Sequence, residues 1–469
     1  MPEAIELTDA GNGAIVAPAG HGKTELIAHA AALGRRALIL THTHAGVHAI
    51  RSRLKRLRVS HASASVDTIA GWCMRYAHAF PGVAMPPADM PRNGAEWDQL
   101  YRGTVDALRV GAIREVVAAS YDRILVDEYQ DCNALQHALA TELSAIVPTL
   151  IFGDPMQGIF EFAGATLSWP DEIHPQFPLK GTLEVPHRWQ NTNPDLGKWI
   201  TEVREKLLRG ERIDLAQAQA QGSISYRVTN NAFDMGAFFD HLEGKEGSIA
   251  AIHCNKSLCY RLAIAAAGGY QAIEEIAANR LSEFAVSWDH DSTAANRQNA
   301  LVRLLNDSFL IRKLAEGEAT IPEDEEVSRK MREVADTLDA GNGTGAAAQL
   351  LALARKHSKW KLYRNELWRD AERTVAELAA GRAETMADAA ARVRQRASIM
   401  GRRLPKRTVS TPLLLKGLQF DHVVIPNATH FLRERQAQAK LFYVAISRAT
   451  QSLMIAASER YLQFPVPNV

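Results

Sequence analysis

The stretch "GAIVAPAGHGKTELIAHAAALG", Gly13 to Gly34, decides the fold. "GAIV" reads as a short apolar strand and "TELIAHAAALG" as a helix, with a Gly-rich loop between them. The loop matches the phosphate-binding pattern G-x-x-x-x-G-K-[ST], except that Ala17 stands at the first glycine and His21 sits inside it. Backbone N–H groups of Ala19, Gly20, His21 and Gly22 can cradle phosphates where the helix begins. Lys23 can reach the terminal phosphates, Thr24 can ligate Mg²⁺, and Glu25 closes the loop segment. An ordinary Gly-containing turn with an exposed lysine fits the same residues, so the rest of the chain must decide.

Further apolar strands follow at "RRALILTHT", "YDRILVDEYQD" and "TLIFGDPMQ", separated by helical patterns. Short strands alternating with helices indicate a parallel α/β sheet. "LVDEYQD" supplies what the loop lacks. Asp127 at a strand end can hold Mg²⁺, and Glu128 beside it can orient and deprotonate an attacking water. Alone, the pair also reads as a solvated strand end or helix cap. Following a G-K-T loop in the same sheet, it points to a hydrolysing NTPase. After Pro186 a second α/β unit begins, with strands at "GSIAAIHC", "HVVIP" and "SLMIA". From about Ser282 to Ala397 the pattern turns helical and alanine-rich, with breaks at "GNGTG" and "AAGRAE".

Composition narrows the class. The 469 residues are 46% hydrophobic and 23% charged, and no apolar run approaches the ~18 residues of a membrane span. The first residues have no basic-then-apolar signal pattern. Four cysteines are too few for a disulfide framework, so a reducing cytoplasm is expected. Cys254 and Cys259 form C-x4-C beside His253, but no second ligand pair follows and zinc is not expected. The net charge is +1, which decides nothing about nucleic acid because a local patch can bind it. Basic residues do cluster in Ile50–His61 and Ala391–Arg407; solvated helix faces explain both equally well.

Eight segments, "APAGHGKT", "LTHTHAG", "VDTIAGWC", "LVDEYQD", "IFGDPMQGIFEFAGA", "LEVPHRW", "TPLLLKGLQFDHVVIP" and "LFYVAISRAT", stand in the order found in the UvrD/Rep family of superfamily 1 DNA helicases and helicase-like ATPases. The chain resembles that family from Ala17 to Thr450, and the family's loop often starts with alanine. The resemblance implies two RecA-like parallel-sheet cores, each with a mostly helical insertion. Residues 1–80 and 120–185 would form the first core and 81–119 its small insert; 186–281 and 398–469 would form the second core and 282–397 its insert. The implied cofactors are ATP and Mg²⁺, the metal being held by Thr24 and Asp127. Glu128 would be the base and Gln157 the γ-phosphate sensor. Arg188 and Arg448 would reach the γ-phosphate from the second core, neutralising charge on the transferred phosphoryl group. His187 would stack on the base, and Gly417 with Gln419 would face the ribose. Thr43, Thr68 and Thr411 match positions near DNA phosphates. Phe162 would stack on single-stranded bases, whereas core packing and stacking are both open for Phe160.

The departures thin the base- and DNA-reading set. The first glutamine in the chain is Gln99, so no adenine-reading glutamine precedes the loop. His187 replaces the family's tyrosine and Gln419 its glutamate; His42, Ala163 and Leu413 replace residues that face DNA. Two activities therefore remain open. One is a cytoplasmic 3′→5′ translocase or helicase on single-stranded or partly duplex DNA, in repair or phage defence. The other is a DNA-sensing ATPase subunit that signals to a separate nuclease. The compact size resembles the helicase-like subunit of Gabija-type phage-defence systems, which works beside such a nuclease. "KHSKWKLYRNELWRDAER" (Lys356–Arg373) reads either as a partner or DNA surface or as an amphipathic helix with core tryptophans.

Overall fold

The computed structural model describes residues 11–60, 62–88, 90–91, 93–159, 167–236, 242, 244–266, 269–272, 276–291, 293–311, 321–339, 343–400 and 405–469. The chain divides into two compact units, Met1–Lys245 with Leu415–Val469, and Glu246–Leu414.

The first unit opens with six strands: β1 (Gly13–Val16), β2 (Ala37–Thr41), β3 (Ala64–Thr68), β4 (Arg123–Val126), β5 (Thr149–Gly153) and β6 (Leu179–Thr182). They form one sheet in the order β3-β2-β4-β5-β1-β6, with every pair parallel. Successive side chains on a strand point to opposite faces. Ala14, Val16, Leu38, Leu40, Ile124, Val126 and Ile151 therefore pack into one buried cluster. Ile15, Ala37, Ile39, Leu125, Leu150 and Phe152 pack into another. A parallel sheet covered on both faces needs strands apolar at every position, which is why these strands read as continuous apolar runs. Each fully buried Ile or Leu contributes about 1.5–3 kcal/mol relative to an exposed one. The register sets Val16 opposite Gly153 and Val126 opposite Ile151, so the carboxyl ends of β1, β4 and β5 lie side by side. In open α/β sheets that edge is where ligands bind.

Between β3 and β4 the chain builds helices Ile69–Ala79, Pro81–Ala84, Gly94–Leu108 and Gly111–Ser120. Gly103 lets two of them touch: a Cβ there would lie 1.8 Å from the carbonyl oxygen of Ala84. Gly103→Ala should therefore force these helices apart and cost about 1–3 kcal/mol. Denaturant unfolding checks this, and an unchanged midpoint would show that the contact yields freely.

The chain continues through β7 (Ile213–Asp214) and β8 (Ser225–Val228) and enters the second unit. There lie β9 (Ile249–Ile252), β10 (Gln271–Ala272), β11 (Phe309–Ile311), β12 (Trp360–Leu362) and β13 (Arg407–Ser410). β9 and β10 flank β13 in parallel, and β11 pairs antiparallel with β12. Helices Ile276–Asp289, Ala294–Ser308, Thr344–Ala354, Asn365–Ala379 and Met386–Met400 surround a core holding Trp288 and Trp368. Trp368, in the helix Asn365–Ala379, is fully buried, and Trp360 packs against the same core from β12, so both tryptophans serve the core but only the second half of Lys356–Arg373 is helical.

Back in the first unit, β14 (Phe420–Ile425), β15 (Ala449–Ala457) and β8 form a parallel ladder, and β16 (Tyr461–Leu462) pairs antiparallel with β7. Both units thus carry parallel strands with helices between them, the expected α/β class. Among the described residues no helix is long and apolar enough to cross a membrane.

Candidate functional site

β1 ends at Val16 and the helix Lys23–Ala32 begins seven residues later. The turn needs Gly20 at φ +79° and Gly22 at φ +89°, a region only glycine enters cheaply. Close neighbours also exclude side chains here. A Cβ on Gly20 would lie 2.7 Å from the Trp189 ring, and one on Gly22 would lie 3.2 Å from the His187 ring. His187, expected at the base, thus packs over the loop, and its Nδ1 lies 3.1 Å from Gln190 Oε1. His21 turns inward and is buried. Its Nδ1–H donates to the Ala19 carbonyl at 2.9 Å, which fixes the turn, and burial lowers its pKa. Inward packing is the physical account of a histidine within this loop.

Lys23 Nζ lies 2.8 Å from Asp127 Oδ1 and 2.5 Å from Glu128 Oε1. Burial opposes the ammonium charge, but the two carboxylates outweigh it and raise the Lys23 pKa. Burial likewise acts to raise Glu128, yet Lys23 and Lys416 prevail and hold it down at about 2. Asp127 is raised, mainly by burial. Glu128 is also held in an uncommon backbone conformation, φ +56°, which a non-glycine residue adopts at a cost of order 1 kcal/mol. Its N–H donates to Asp127 Oδ1 at 2.9 Å, and Gln130 Nε2 donates to its Oε2 at 2.5 Å. The other end of the Gln130 amide accepts from Asp154 N at 3.1 Å, tying the end of β4 to the end of β5. Strain and three partners together aim one carboxylate at the edge where the loop lies.

The segments after Pro186 and after Leu415 close on this edge. Arg188 N donates to the Gly20 carbonyl at 3.0 Å, and its Nη1 to the Ser447 carbonyl at 2.6 Å. Arg448 is buried, with Nε on the Val444 carbonyl at 2.9 Å, Nη1 on the Leu418 carbonyl at 3.2 Å and Nη2 on Gln157 Oε1 at 3.4 Å. Burial, then the neighbouring Arg448, pulls Arg188 down to about 9. Burial pulls Arg448 to about 10. Both remain cationic at neutral pH. Tyr443 accepts from Ala19 N in the loop at 3.0 Å. Lys416 Nζ lies 2.5 Å from Asp131 Oδ1 and 2.6 Å from the Gln157 carbonyl. Trp189 is fully buried against Gly20, and its indole donates to the Ala449 carbonyl at 2.6 Å.

One edge therefore collects Lys23, Asp127, Glu128, Gln157, Arg188 and Arg448. The segment 88–178 matches the UvrD/REP helicase N-terminal domain family, and 379–457 matches the viral superfamily 1 RNA helicase core domain. The ATP-dependent DNA helicase UvrD1 of Mycobacterium tuberculosis is 27% identical over 155 residues, 31% of this chain and 20% of that protein. The RecBCD enzyme subunit RecB of Buchnera aphidicola is 30% identical over 83 residues, 17% of this chain and 7% of that protein. In these segments the chain is similar to UvrD/REP-type superfamily 1 helicase proteins. It spans about a fifth of the length of its UvrD1 relatives. Among solved structures, arterivirus nonstructural protein 10 (helicase) with DNA aligns with 97% of this chain and 63% of its own, at 11% identity and TM-score 0.34.

The remaining residues that the family resemblance singled out are placed less centrally. Thr24 is the second residue of its helix and half-buried. Glu25 pairs with Arg53 and, at 3.2 Å, with His29, so its carboxylate joins two helices. Gly417, at φ +78°, and Gln419 are exposed. Thr43 and Thr68 cap the helices His44–Arg56 and Ile69–Ala79, accepting from Gly46 N at 3.1 Å and Gly71 N at 2.9 Å. Thr411, in the second unit, is buried, and its hydroxyl has no hydrogen-bond partner among the described residues. Phe160, Phe162 and Ala163 lie outside the described residues. Residue-by-residue reading gave no role to Tyr443, Lys416, Gln130, Asp154 or Arg204. The first four lie inside quoted motifs, and Arg204 carries no local signal at all.

Proposed function

We propose that this chain is a Mg²⁺-dependent ATPase of UvrD/Rep type that couples hydrolysis to movement along single-stranded DNA. The observation that carries the reading is the convergence of Arg188 and Tyr443 on the loop whose Lys23 already touches Asp127 and Glu128, with Arg448 on Gln157 beside them. The loop N–H groups and Lys23 bind phosphates. Thr24 and Asp127 offer hard oxygens, the donor set that suits Mg²⁺, which would neutralise phosphate charge. Glu128 takes the proton of the attacking water, and Gln157, Arg188 and Arg448 stabilise the charge that develops on the γ-phosphoryl group. The two parts of the site lie on segments 120–185 and 186–281 with 398–469, which we assign to two RecA-like cores with inserts 81–119 and 282–397. Changes at the loop then alter how the cores meet, and that movement is the stepping stroke. Thr43 and Thr68, at helix N-termini beside the carboxyl ends of β2 and β3, would hold DNA phosphates. Thr411, Phe160 and Phe162 complete the DNA track in this reading, with 3′→5′ polarity and a cytoplasmic setting in repair or phage defence.

One observation favours the second reading, a DNA-sensing ATPase subunit that signals to a separate nuclease. His42, where the family places a DNA-facing phenylalanine, has its Nε2 3.4 Å from the sulfur of Cys132, and burial lowers its pKa to about 4. That ring serves the protein interior. The experiment is ATP turnover with and without single-stranded DNA, beside strand displacement on a 3′-tailed duplex. DNA-stimulated turnover with displacement supports the motor. Stimulation without displacement sinks unwinding and leaves the sensor. No turnover under any condition sinks both.

A further inference from the structure

Asp154, directly after β5, is completely buried. A carboxylate removed from water needs several donors or a cation. Asp154 has both. Its Oδ1 accepts from Met156 N at 3.2 Å and from Arg204 Nη2 at 3.0 Å, and its Oδ2 accepts from Gln157 Nε2 at 3.0 Å. Arg204 comes from the helix Pro194–Leu208 and is itself buried; its other terminal nitrogen, Nη1, lies 3.0 Å from Glu205. An ion pair so enclosed contributes little net stability, because desolvation offsets the attraction, so its use must lie elsewhere.

That use follows from the Gln157 side chain. A carboxamide has a donor end and an acceptor end that are nearly alike in shape. Here the neighbours dictate which way it points. Ionised Asp154 can only accept, so the Gln157 nitrogen must face it. Arg448 can only donate, so the Gln157 oxygen must face Arg448, whose Nη2 lies 3.4 Å away. The orientation holds only while the Asp154 carboxylate stays in place, and the cation that holds it is Arg204.

We propose that Arg204 is a positioning residue for nucleotide hydrolysis: through Asp154 it fixes the orientation of the Gln157 amide between Asp154 and Arg448. The inference rests on the ATPase reading above. It adds a contact between the helix Pro194–Leu208 and the end of β5 that carries orientation rather than charge to the phosphate.

The test is a double-mutant cycle on the full chain, comparing ATP turnover of wild type, Arg204→Met, Gln157→Ala and the double variant. Each single change should lower kcat roughly tenfold, the scale at which sites respond through packed side chains, with the KM for ATP within about threefold. The double variant should match the Gln157→Ala single, because residues acting as one unit do not add. Arg204→Lys should recover part of the loss. A kcat unchanged in Arg204→Met, or losses that multiply in the double variant, overturns the inference. If Arg204→Met does not fold, Asp154→Leu/Arg204→Met removes both charges together. It should fold and lose kcat as Gln157→Ala does; wild-type kcat in that variant equally overturns the inference. A wild type that hydrolyses ATP while Arg204→Met matches it removes only this inference. A wild type with no turnover removes the ATPase reading and this inference together.

Discussion

Glu128→Gln should lower ATP turnover by about 10²–10⁴-fold, the usual worth of a general base, while nucleotide affinity changes by no more than a few-fold. Glutamine keeps the shape and can still accept from Lys23, but it cannot take a proton from water. The surroundings of Glu128 make the expectation sharp. Its backbone is fixed at φ +56°, and its carboxylate is held by Lys23 at 2.5 Å and by Gln130 at 2.5 Å. Burial acts to raise the Glu128 pKa, but the lysines hold it near 2. A base whose pKa lies that far below neutral is ionised throughout the working range. Wild-type turnover should therefore show no acid limb from Glu128 near neutral pH. Phosphate release across pH, with fluorescent-nucleotide binding alongside, measures both parts. Turnover unchanged in Glu128→Gln would remove the base assignment while leaving the phosphate loop intact.

What the sequence made legible, and what it hid, follows from range. The loop Ala19–Lys23 and the acids Asp127 and Glu128 are local signals: a glycine turn opening a helix, and charges ending an apolar strand. β2, β4 and β5 were legible because burial on both faces demands continuous apolar residues. β3 reads "ASVDT" with an exposed second residue, and β6 reads "LKGT" with no residue fully buried. Both lie at the edges of the sheet, where packing asks for less, and neither gave a strand signal. β11 and β12 have three residues each, too few to show a period. Within the site, Tyr443 reaches the Ala19 N–H across 424 positions, and Arg204 reaches Asp154 across 50. Partners that distant leave no spacing rule to read. His21 shows the reverse limit. Its position in the loop was plain, but only the inward turn to the Ala19 carbonyl explains why an imidazole is accommodated.

Arg448→Ala should reduce ATP turnover by about 10³–10⁵-fold, the range for an arginine that stabilises phosphoryl transfer. The geometry argues for the full effect. Four groups hold the guanidinium: the carbonyls of Val444 and Leu418, the Ser447 hydroxyl at 2.8 Å and Gln157 Oε1 at 3.4 Å. A cation fixed in this way needs no reorganisation when charge develops on the phosphoryl group, and that preorganisation is the source of its catalytic worth. Arg448→Lys should recover little, because one ammonium cannot reproduce a planar fork with five donors. The substitution to alanine also takes the Arg448 donor from the Leu418 carbonyl, at about 1–3 kcal/mol, whereas the Val444 carbonyl keeps the Ser447 hydroxyl at 3.0 Å, so some loss of stability is expected. Thermal unfolding measures that loss separately, and nucleotide binding at a temperature well below the transition shows whether the loop survives. A folded, nucleotide-binding Arg448→Ala protein with turnover within tenfold of wild type would mean that Arg448 braces the turn after the helix Gln438–Ile446. The charge on the γ-phosphate would then have to be met by Arg188 and Lys23 alone.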